Sequence, residues 1–285
     1  MKKVLLLSCD VRSYAPSRIK EECKRRGLEY KGWEYRDLVF YLRNPYKITK
    51  NGTGDLLSFD YYILRGFHKN FYAYRYAVSE FLLFNNKTTL NKEAFYYFGG
   101  CVHNKLMQQL ILIENNLPIV ASTSGNNMEK NRNYPVIMKS FYGSHGSGVR
   151  KISSEKELKE LSQEWRLEAC LKQEFLPTRE DYRVIVVGGR ALGAMKRKAE
   201  GGNFLTNIGA GGSFENTELT SELKDLSLRS AKVFKADYCG VDIMYNKKGS
   251  PHILELNFAA EFEGFEACTG ANVAGEIVDY LISKN

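Results

Sequence analysis

The sequence of 285 residues predicts an α/β fold, and three features carry that prediction. Over roughly the first 95 residues, strand-like apolar runs alternate with helix-like runs, which is typical of a parallel sheet covered by helices. Farther along, two strand-like runs flank a loop with three glycines at 143–148. Near the end, residues 240–257 alternate as a β-hairpin does, with oxygen-bearing side chains gathered at one end.

The N-terminal unit is predicted to hold strands at 4–9, 28–34 and 61–64, and helices at 16–26 and 71–84. Pro16 suits a first helical turn and Gly27 suits a helix stop. No GxGxxG motif follows the first strand, so the fingerprint of a dinucleotide site is absent.

Two further units follow, and no internal repeat is visible. The middle unit is predicted to hold a helix at 105–115, strands at 135–140 and 149–152, and a helix that opens with Ser154 and Glu157 in a capping-box spacing. The last unit is predicted to hold strands at 169–176, 182–187 and 191–197, a helix at 221–234, the hairpin and a helix at 273–283.

Composition favours a globular cytoplasmic protein with a large core, since 44% of residues are hydrophobic and no apolar run approaches the roughly 20 residues of a membrane span. The six cysteines lack metal-ligand spacing, which indicates reduced thiols. The net charge of +8 favours an anionic partner such as a nucleotide or an acidic peptide. Because the basic residues are dispersed, a nucleic-acid partner is not expected.

The hairpin is predicted to bring Asp242, Glu255 and Asn257 together. If residues 247–250 form a four-residue turn, Asp242 faces Glu255, Met244 faces Ile253, and Asn257 shares a face with Glu255. Two buried carboxylates need a cation, and oxygen ligands suit Mg²⁺ or Mn²⁺. Acids that simply face solvent are an equal alternative from this stretch alone.

Basic residues beside glycine segments suggest anion binding at two places. Lys139 ends an apolar strand just before the glycine loop and could reach a phosphate, although from this loop alone a plain flexible turn is the default interpretation. Arg197 and Lys198 end another strand before a glycine-bearing segment and could clamp a phosphoryl group, with a solvated strand edge and a polar loop as the alternative. His145 has no partner visible in the sequence and is expected at the surface.

A third cluster could bind a nucleoside. The backbone at 174–176 could pair with an adenine edge, and Asp181 could hold ribose hydroxyls while sharing a strand face with Arg183. A strand, a loop and a surface ion pair are the alternative reading.

Taken in order, these segments resemble the ATP-grasp superfamily, and more closely the RimK-type glutamate and amino-acid ligases. The resemblance covers roughly residues 100–285. It rests on Asn104-Lys105-Leu106, Val136-Ile137-Met138-Lys139, residues 143–149, Gln173-Glu174-Phe175, Asp181-Tyr182-Arg183, residues 203–207, Gly211-Gly212, Gly240-Val241-Asp242, Glu255-Leu256-Asn257, residues 262–266 and Thr269-Gly270.

The resemblance implies an ATP-grasp fold in three parts, at 1–98, 99–172 and 173–285. It implies ATP contacts from Lys105, Lys139, Gly143, Ser144, His145, Gly146, Ser147, Gly148, Gln173, Glu174, Phe175, Leu176, Asp181, Arg183 and Asn207. It implies metal ligation, to two Mg²⁺ or Mn²⁺ ions, by Asp242, Glu255 and Asn257. Arg197 is then expected to stabilise transferred phosphoryl and acyl oxygens, with Lys198 as the second candidate.

The implied activity is an ATP-dependent carboxylate–amine ligase that works through an acyl phosphate and acts on an amino acid, a peptide, a protein tail or a small amine. A peptide-modifying or macrocycle-forming ligase, or a nucleotide-binding protein without turnover, is the alternative. The sequence does not determine the oligomeric state, and a homo-oligomer is one candidate because relatives often self-associate.

Two departures from the RimK-type pattern concern the acceptor substrate. Residues 208–212 lack the usual His-Arg, and residues 258–262 replace the usual Ser-Pro-Gly. Glu261 adds a carboxylate that would favour a cationic or amine-bearing partner, unless it only faces solvent.

Overall fold

The computed structural model describes residues 1–66, 71–91, 102–125, 133–143, 148–200 and 212–284. Within these ranges the chain forms four β-sheets. None of the helices described there is long and apolar enough to cross a membrane.

The first sheet is parallel, as the sequence predicts. Its strands lie in the order β2-β1-β6-β7, and they are β1 (Lys3–Ser8), β2 (Glu29–Glu34), β6 (Tyr61–Leu64) and β7 (Thr88–Leu90). Helices α1 (Tyr14–Arg25) and α2 (Tyr72–Phe84) accompany it. Helix α1 begins two residues before the predicted Pro16, and Gly27 follows it in the left-handed region with φ 68°.

A small antiparallel sheet that was not predicted lies between β2 and β6. It consists of β3 (Leu38–Tyr41), β4 (Lys47–Lys50) and β5 (Gly54–Asp55). Its aromatic side chains pack on α2, with ring centroids 4.9 Å apart for Phe40 and Tyr74 and 4.5 Å apart for Tyr46 and Phe81. The strands, of two to four residues, are too short to show the period-two pattern from which strands are predicted.

The second large sheet is antiparallel, with the order β10-β9-β11-β8. Its strands are β8 (Ser122–Thr123), β9 (Val136–Ser140), β10 (Val149–Ile152) and β11 (Cys170–Glu174), and its helices are α3 (Lys105–Glu114) and α4 (Glu155–Glu164). Lys139 pairs with Val149, which confirms that the glycine loop joins a hairpin. The division predicted between residues 172 and 173 falls inside β11.

Side-chain caps start both helices where the sequence predicts them. The Asn104 carboxamide accepts from the N–H groups of Leu106 and Met107, and the Ser154 hydroxyl accepts from the Glu157 N–H. The Glu157 carboxylate accepts from the Ser153 N–H at 2.8 Å, one residue earlier than in the standard capping box.

The third large sheet has five antiparallel strands in the order β14-β13-β12-β15-β16. They are β12 (Glu180–Val187), β13 (Arg190–Lys198), β14 (Ser213–Thr217), β15 (Tyr238–Tyr245) and β16 (Pro251–Asn257). The helices of this part are α5 (Ser221–Val233), α6 (Glu263–Thr269) and α7 (Val273–Ser283). Helix α7 packs on α1, and Arg26, directly after α1, donates its Nε to Asp279 at 2.6 Å. The C-terminal helix therefore contacts a helix of the N-terminal parallel sheet.

The β15–β16 hairpin corrects the predicted register at its tip. Tyr245 faces Pro251 and Ile243 faces Ile253, so the predicted pairing of Met244 with Ile253 is wrong. The loop between the strands, 246–250, has five residues instead of four. A β-bulge then takes up one residue of β16, and from there Asp242 faces Glu255 as predicted.

Candidate active site

The structure brings Asp242, Glu255 and Asn257 together at one end of the hairpin. The Asn257 Nδ2 atom lies 3.3 Å from Asp242 Oδ2 and 3.3 Å from Glu255 Oε1. Asp242 is buried, and Glu255 is partly exposed with 32% of its side chain accessible. One face of the strand pair therefore presents two carboxylates, each close to the same amide group.

Asp242 is held by two arginines from neighbouring strands. Arg183 donates to both of its oxygens at 2.8 Å, from Nε and from Nη2. Arg197 Nη2 lies 3.0 Å from Asp242 Oδ2. Burial alone would raise the pKa of Asp242, but the two guanidinium groups lower it below the usual range, so this carboxyl stays ionised.

Arg197 also binds Asp181, which it faces across β12 and β13. Its Nε and Nη2 atoms donate to the two Asp181 oxygens at 2.6 and 2.8 Å. Both side chains are buried. The predicted ribose-binding acid and the predicted catalytic arginine are therefore partners in one fork-shaped ion pair.

Lys198, the second catalytic candidate, lies apart from this cluster. Side chains alternate along a strand, so Lys198 shares the orientation of Lys196 and not that of Arg197. Both lysines bind Glu215 on β14, each at 2.9 Å. The charge of Lys198 is therefore paired with Glu215, on the side of the sheet opposite to Asp181 and Asp242.

Two lysines approach the cluster from the second sheet. Lys105, at the first position of α3, donates its Nζ to the Gly143 carbonyl at 2.9 Å and lies 3.7 Å from Glu255 Oε2. Burial lowers the pKa of Lys139 to about 8, and Lys105 adds to this effect, while Glu255 and Asp242 oppose it. Two positive groups therefore lie within electrostatic reach of the metal-type carboxylates.

The adenine-type segment follows β11. Gln173 is buried and donates Nε2 to the Ser122 hydroxyl at 3.0 Å, while the Glu174 side chain is exposed. The Glu174 N–H already donates to the Ala121 carbonyl at 2.9 Å. Past the strand, Lys151 Nζ lies 4.3 Å from the Phe175 ring centroid, and Leu176 is buried. The predicted adenine segment, residues 174–176, thus offers the apolar side chains of Phe175 and Leu176 beside backbone groups that can form hydrogen bonds.

Several predicted residues lie outside the described ranges. These are Ser144, His145, Gly146, Ser147 and Asn207, together with 208–211. The edges of the glycine loop are described, and Gly148 has φ 79° with its carbonyl accepting from the Ser140 N–H at 2.8 Å. An added Cβ at Gly148 would lie 3.1 Å from the Ser140 Cβ, so glycine fits best there.

Gln108 is a positioning residue that sequence reasoning missed. This buried side chain donates to the Leu256 carbonyl and accepts from the Leu256 N–H, both at 3.0 Å. Leu256 lies between Glu255 and Asn257 on an edge strand, so α3 supplies the hydrogen bonds that a neighbouring strand would. The helix that carries Lys105 therefore also fixes the strand that carries two metal-type ligands.

Arg65 was also missed, and it changes the interpretation of Glu261. Its Nη2 atom lies 3.3 Å from Glu261 Oε1, and Arg65 itself is 2% exposed. Glu261 is thus neither an isolated carboxylate nor a group that simply faces solvent. The two residues are 196 positions apart, and no sequence pattern relates them.

The residues present fit a hard divalent cation. No group of three or more His, Cys, Asp and Glu side chains suited to a metal occurs within the described ranges, so the donor set depends on the Asn257 amide. That amide already lies within 3.3 Å of both carboxylates, and exchanging its N and O atoms would present three oxygens to one ion. Such a set suits Mg²⁺.

The arrangement suits chemistry on phosphates and carboxylates. Within the described part of the site, two arginines and two lysines surround three acidic groups, so an incoming polyanion would meet neutralising charge already in place. No serine or cysteine in a nucleophile motif is found in the sequence, which is consistent with chemistry that needs no covalent protein nucleophile.

Solved structures with the same fold align with the whole length of this chain. The ATP-grasp ligase PsnB, solved with a phosphomimetic variant of its minimal precursor, Mg and ADP, aligns with a TM-score of 0.72 at 21% identity, covering 100% of this chain and 99% of that one. A RiPP-associated ATP-grasp ligase of Chryseobacterium gregarium, solved with ADP and a leader and core peptide, aligns with a TM-score of 0.74 at 17% identity, covering 100% and 98%. The predicted ATP-grasp fold is confirmed.

Sequence comparison identifies the family. A probable α-L-glutamate ligase of Maridesulfovibrio salexigens is 36% identical over 155 residues, which are 53% of this chain and 51% of that protein. The chain therefore spans about half the length of this relative. Residues 103–281, more than half of the chain, match the model of the RimK-like ATP-grasp domain. The protein belongs to the RimK-like ATP-grasp family.

Proposed function

We propose that this protein is an ATP-dependent ligase that joins a carboxylate to an amine through an acyl phosphate and releases ADP. The observation that carries the proposal is the convergence of Asp242, Glu255 and Asn257 with Arg183 and Arg197 on one face of the hairpin sheet. Phosphoryl transfer is catalysed mainly by positioning and charge neutralisation, and this face supplies both.

Each group has a distinct role in the proposal. Lys105 and Lys139 contact the ATP phosphates, and Arg197 stabilises the oxygens of the transferred phosphoryl and the acyl group. Asp242, Glu255 and Asn257 hold Mg²⁺ or Mn²⁺, at up to two ions, which supplies further neutralisation of phosphate charge. Lys198 is left out, because it is paired with Glu215.

The nucleoside end of ATP would lie at the segment after β11. Glu174 to Leu176 would read the adenine edge. Because the Glu174 N–H is engaged by Ala121, the Glu174 carbonyl and the Leu176 N–H are the groups assigned to that edge. Asp181 would accept from ribose hydroxyls while keeping its fork with Arg197, since each carboxylate oxygen has two lone pairs.

The proposal also covers the domain division, the acceptor and the compartment. The chain divides at about residues 98 and 172 into an N-terminal part and two ATP-grasp lobes. The acceptor is an amino acid, a peptide or a small amine, and a peptide-modifying ligase is the second candidate. The protein works in the cytoplasm.

The test is an ADP-release assay on the purified chain with Mg²⁺, ATP and a panel of amino acids, acidic peptide tails and lysine-like amines. We expect ADP and phosphate, without AMP, and only when both an acid and an amine are present. ATP that binds but is never turned over with any pair would contradict ligase activity and favour a passive nucleotide-binding protein.

The low pKa of Lys139 gives a second expected result. The free protein loses this positive charge as the pH rises through about 8, and the phosphates of ATP favour the charged form. ATP affinity is therefore expected to be constant below pH 7 and to fall above pH 8, by up to roughly tenfold per pH unit. Calorimetry from pH 6.5 to 9.5 would measure this fall.

Two variants of Lys139 check the assignment. Lys139→Ala removes a charge-assisted hydrogen bond and should weaken ATP binding about ten- to a hundredfold. Lys139→Arg stays charged at all these pH values and should flatten the profile. The exposed Lys159→Arg change on α4 serves as the matched control. An unchanged pH profile in Lys139→Arg would show that another group titrates.

A further inference from the structure

The loop that follows Asn257 lies on the same sheet face as the metal-type cluster. A Cβ built on Gly240 would lie 2.8 Å from the Ala260 Cβ and 3.6 Å from the Arg183 Cδ. Gly240 pairs with Asn257 and is two residues from Asp242, a step of about 7 Å along a strand. Ala260 therefore covers the sheet directly beside the cluster, and glycine is required beneath it.

Arg65 fixes this loop from the other side. It directly follows β6, at the carboxyl end of the parallel sheet, and its Nη2 atom donates to the Ala260 carbonyl at 3.0 Å. Its guanidinium contacts two adjacent rings, at 5.3 Å from the centroids of both Tyr238 and Phe262. The Tyr238 hydroxyl also donates to the Ala260 carbonyl. Such a buried guanidinium has one defined orientation.

Glu261 is the part of this arrangement that a substrate can reach. Residues 258–260 are buried, whereas 49% of the Glu261 side chain is accessible. Only its Oε1 atom is within reach of Arg65, at 3.3 Å. Its other oxygen, and the remaining lone pairs of Oε1, keep acceptor capacity for a second donor.

We propose that Glu261 binds the attacking amine as an ammonium ion and accepts one of its protons, and that Arg65 positions Glu261 for this. This inference rests on the proposed ligase function and assigns the amine side of the same site. It also gives a role to the carboxylate in the segment 258–262, which replaces the usual Ser-Pro-Gly of the family.

The step balances as follows. The ammonium gives one proton to Glu261 and becomes a free amine, whose nitrogen attacks the acyl carbon. The bond between that carbon and the phosphate oxygen breaks, and the second proton leaves with the phosphate. The products are an amide, hydrogen phosphate and protonated Glu261, which returns its proton to water.

The test separates the two half-reactions. Acyl phosphate is trapped as a hydroxamate with hydroxylamine, which is largely uncharged at pH 7 and needs no carboxylate to bind it. Amide formation is measured with the acid and the cationic amine that support the most ADP release. In Glu261→Gln we expect hydroxamate formation within about twofold of the parent. The KM for the cationic amine should rise about ten- to a hundredfold, as expected for a lost charge-assisted hydrogen bond.

Two further variants distinguish binding from general stability. Arg65→Lys keeps the charge without the planar fork and should raise the KM for the amine several-fold, again with hydroxamate formation kept. Glu263→Gln removes an exposed carboxylate two residues away and should change neither quantity. Thermal unfolding of each variant verifies that it is folded.

The possible failures are distinct. Absence of ADP release by the parent with every pair contradicts the proposed function, and this inference falls with it. Parental ligation combined with an unaltered KM for the amine in Glu261→Gln contradicts the inference alone. Equal loss of both half-reactions in Glu261→Gln also contradicts it, because Glu261 would then act on the acid or on ATP.

Discussion

Replacing Glu255 by glutamine is expected to reduce ADP release at least about a hundredfold while leaving the fold intact. The glutamine keeps the shape of the side chain but loses the negative charge that a divalent ion needs from the hairpin. Glu255 is partly exposed, and its ion-pair partner Lys105, at 3.7 Å, is buried but keeps its hydrogen bond to the Gly143 carbonyl, so the fold should tolerate the change. Turnover with Mg²⁺ and thermal unfolding are the two measurements.

A metal-binding readout separates this prediction from simple loss of activity. Electron paramagnetic resonance of Mn²⁺ with ATP should show weaker binding of the ion in Glu255→Gln. The exposed Glu164→Gln change at the end of α4 serves as the charge-matched control and should behave like the parent. Near-parental turnover by Glu255→Gln after treatment with a chelator would exclude the hairpin as the metal centre.

The sequence predicted the hairpin site because its signal is local. Asp242, Glu255 and Asn257 lie within 16 residues on two adjacent strands, and strand alternation places them on one face. The register at the tip was wrong by one residue, since a bulge in β16 has no distinct sequence signature. The bulge takes up one residue of β16 between the tip and the site. It thereby cancels the one-residue error at the turn, so the predicted pairing of Asp242 with Glu255 is correct.

The partners of these residues could not be predicted in the same way. Gln108 reaches Leu256 over 148 positions, and Arg65 reaches Glu261 over 196. These contacts depend on how helices and sheets dock, and one polar residue on an amphipathic helix carries no period that reveals its partner. Glutamine at the start of an apolar helix and arginine at the end of a buried strand were the available signals, and both are weak.

The charged face of β12 could be predicted only in part. Alternation predicted that Asp181 and Arg183 share this face. The structure adds that Asp181 pairs with an arginine on β13, whereas Arg183 pairs with a carboxylate on β15. The separation of Arg197 from Lys198 also follows from alternation. Choosing between them required knowing which face of β13 carries the carboxylates, and that is a tertiary fact.

Arg197→Met is expected to have the largest effect on both stability and activity. Removing one partner of a buried ion pair costs about 3–5 kcal/mol in the free energy of unfolding, because the buried carboxylates of Asp181 and Asp242 lose the guanidinium that they share. Arg197→Lys keeps a positive charge but cannot form the fork and should lose less stability. Denaturant unfolding measures both changes. The exposed Arg229→Met change, which breaks a surface pair with Asp225, should cost about 0–1 kcal/mol.

Because Arg197→Met can lose activity through stability alone, the catalytic role depends on two other comparisons. The better-folded Arg197→Lys should bind ATP within about tenfold of the parent and yet ligate at least about a hundredfold more slowly, since the lost contacts matter most as charge develops in transfer. Adding Asp181→Asn to Arg197→Met should restore part of the lost stability, because position 181 then no longer carries a buried charge that has lost the Arg197 guanidinium. A folded Arg197→Lys that binds ATP but ligates slowly would assign Arg197 both roles, whereas near-parental ligation by Arg197→Lys would leave it only the structural one.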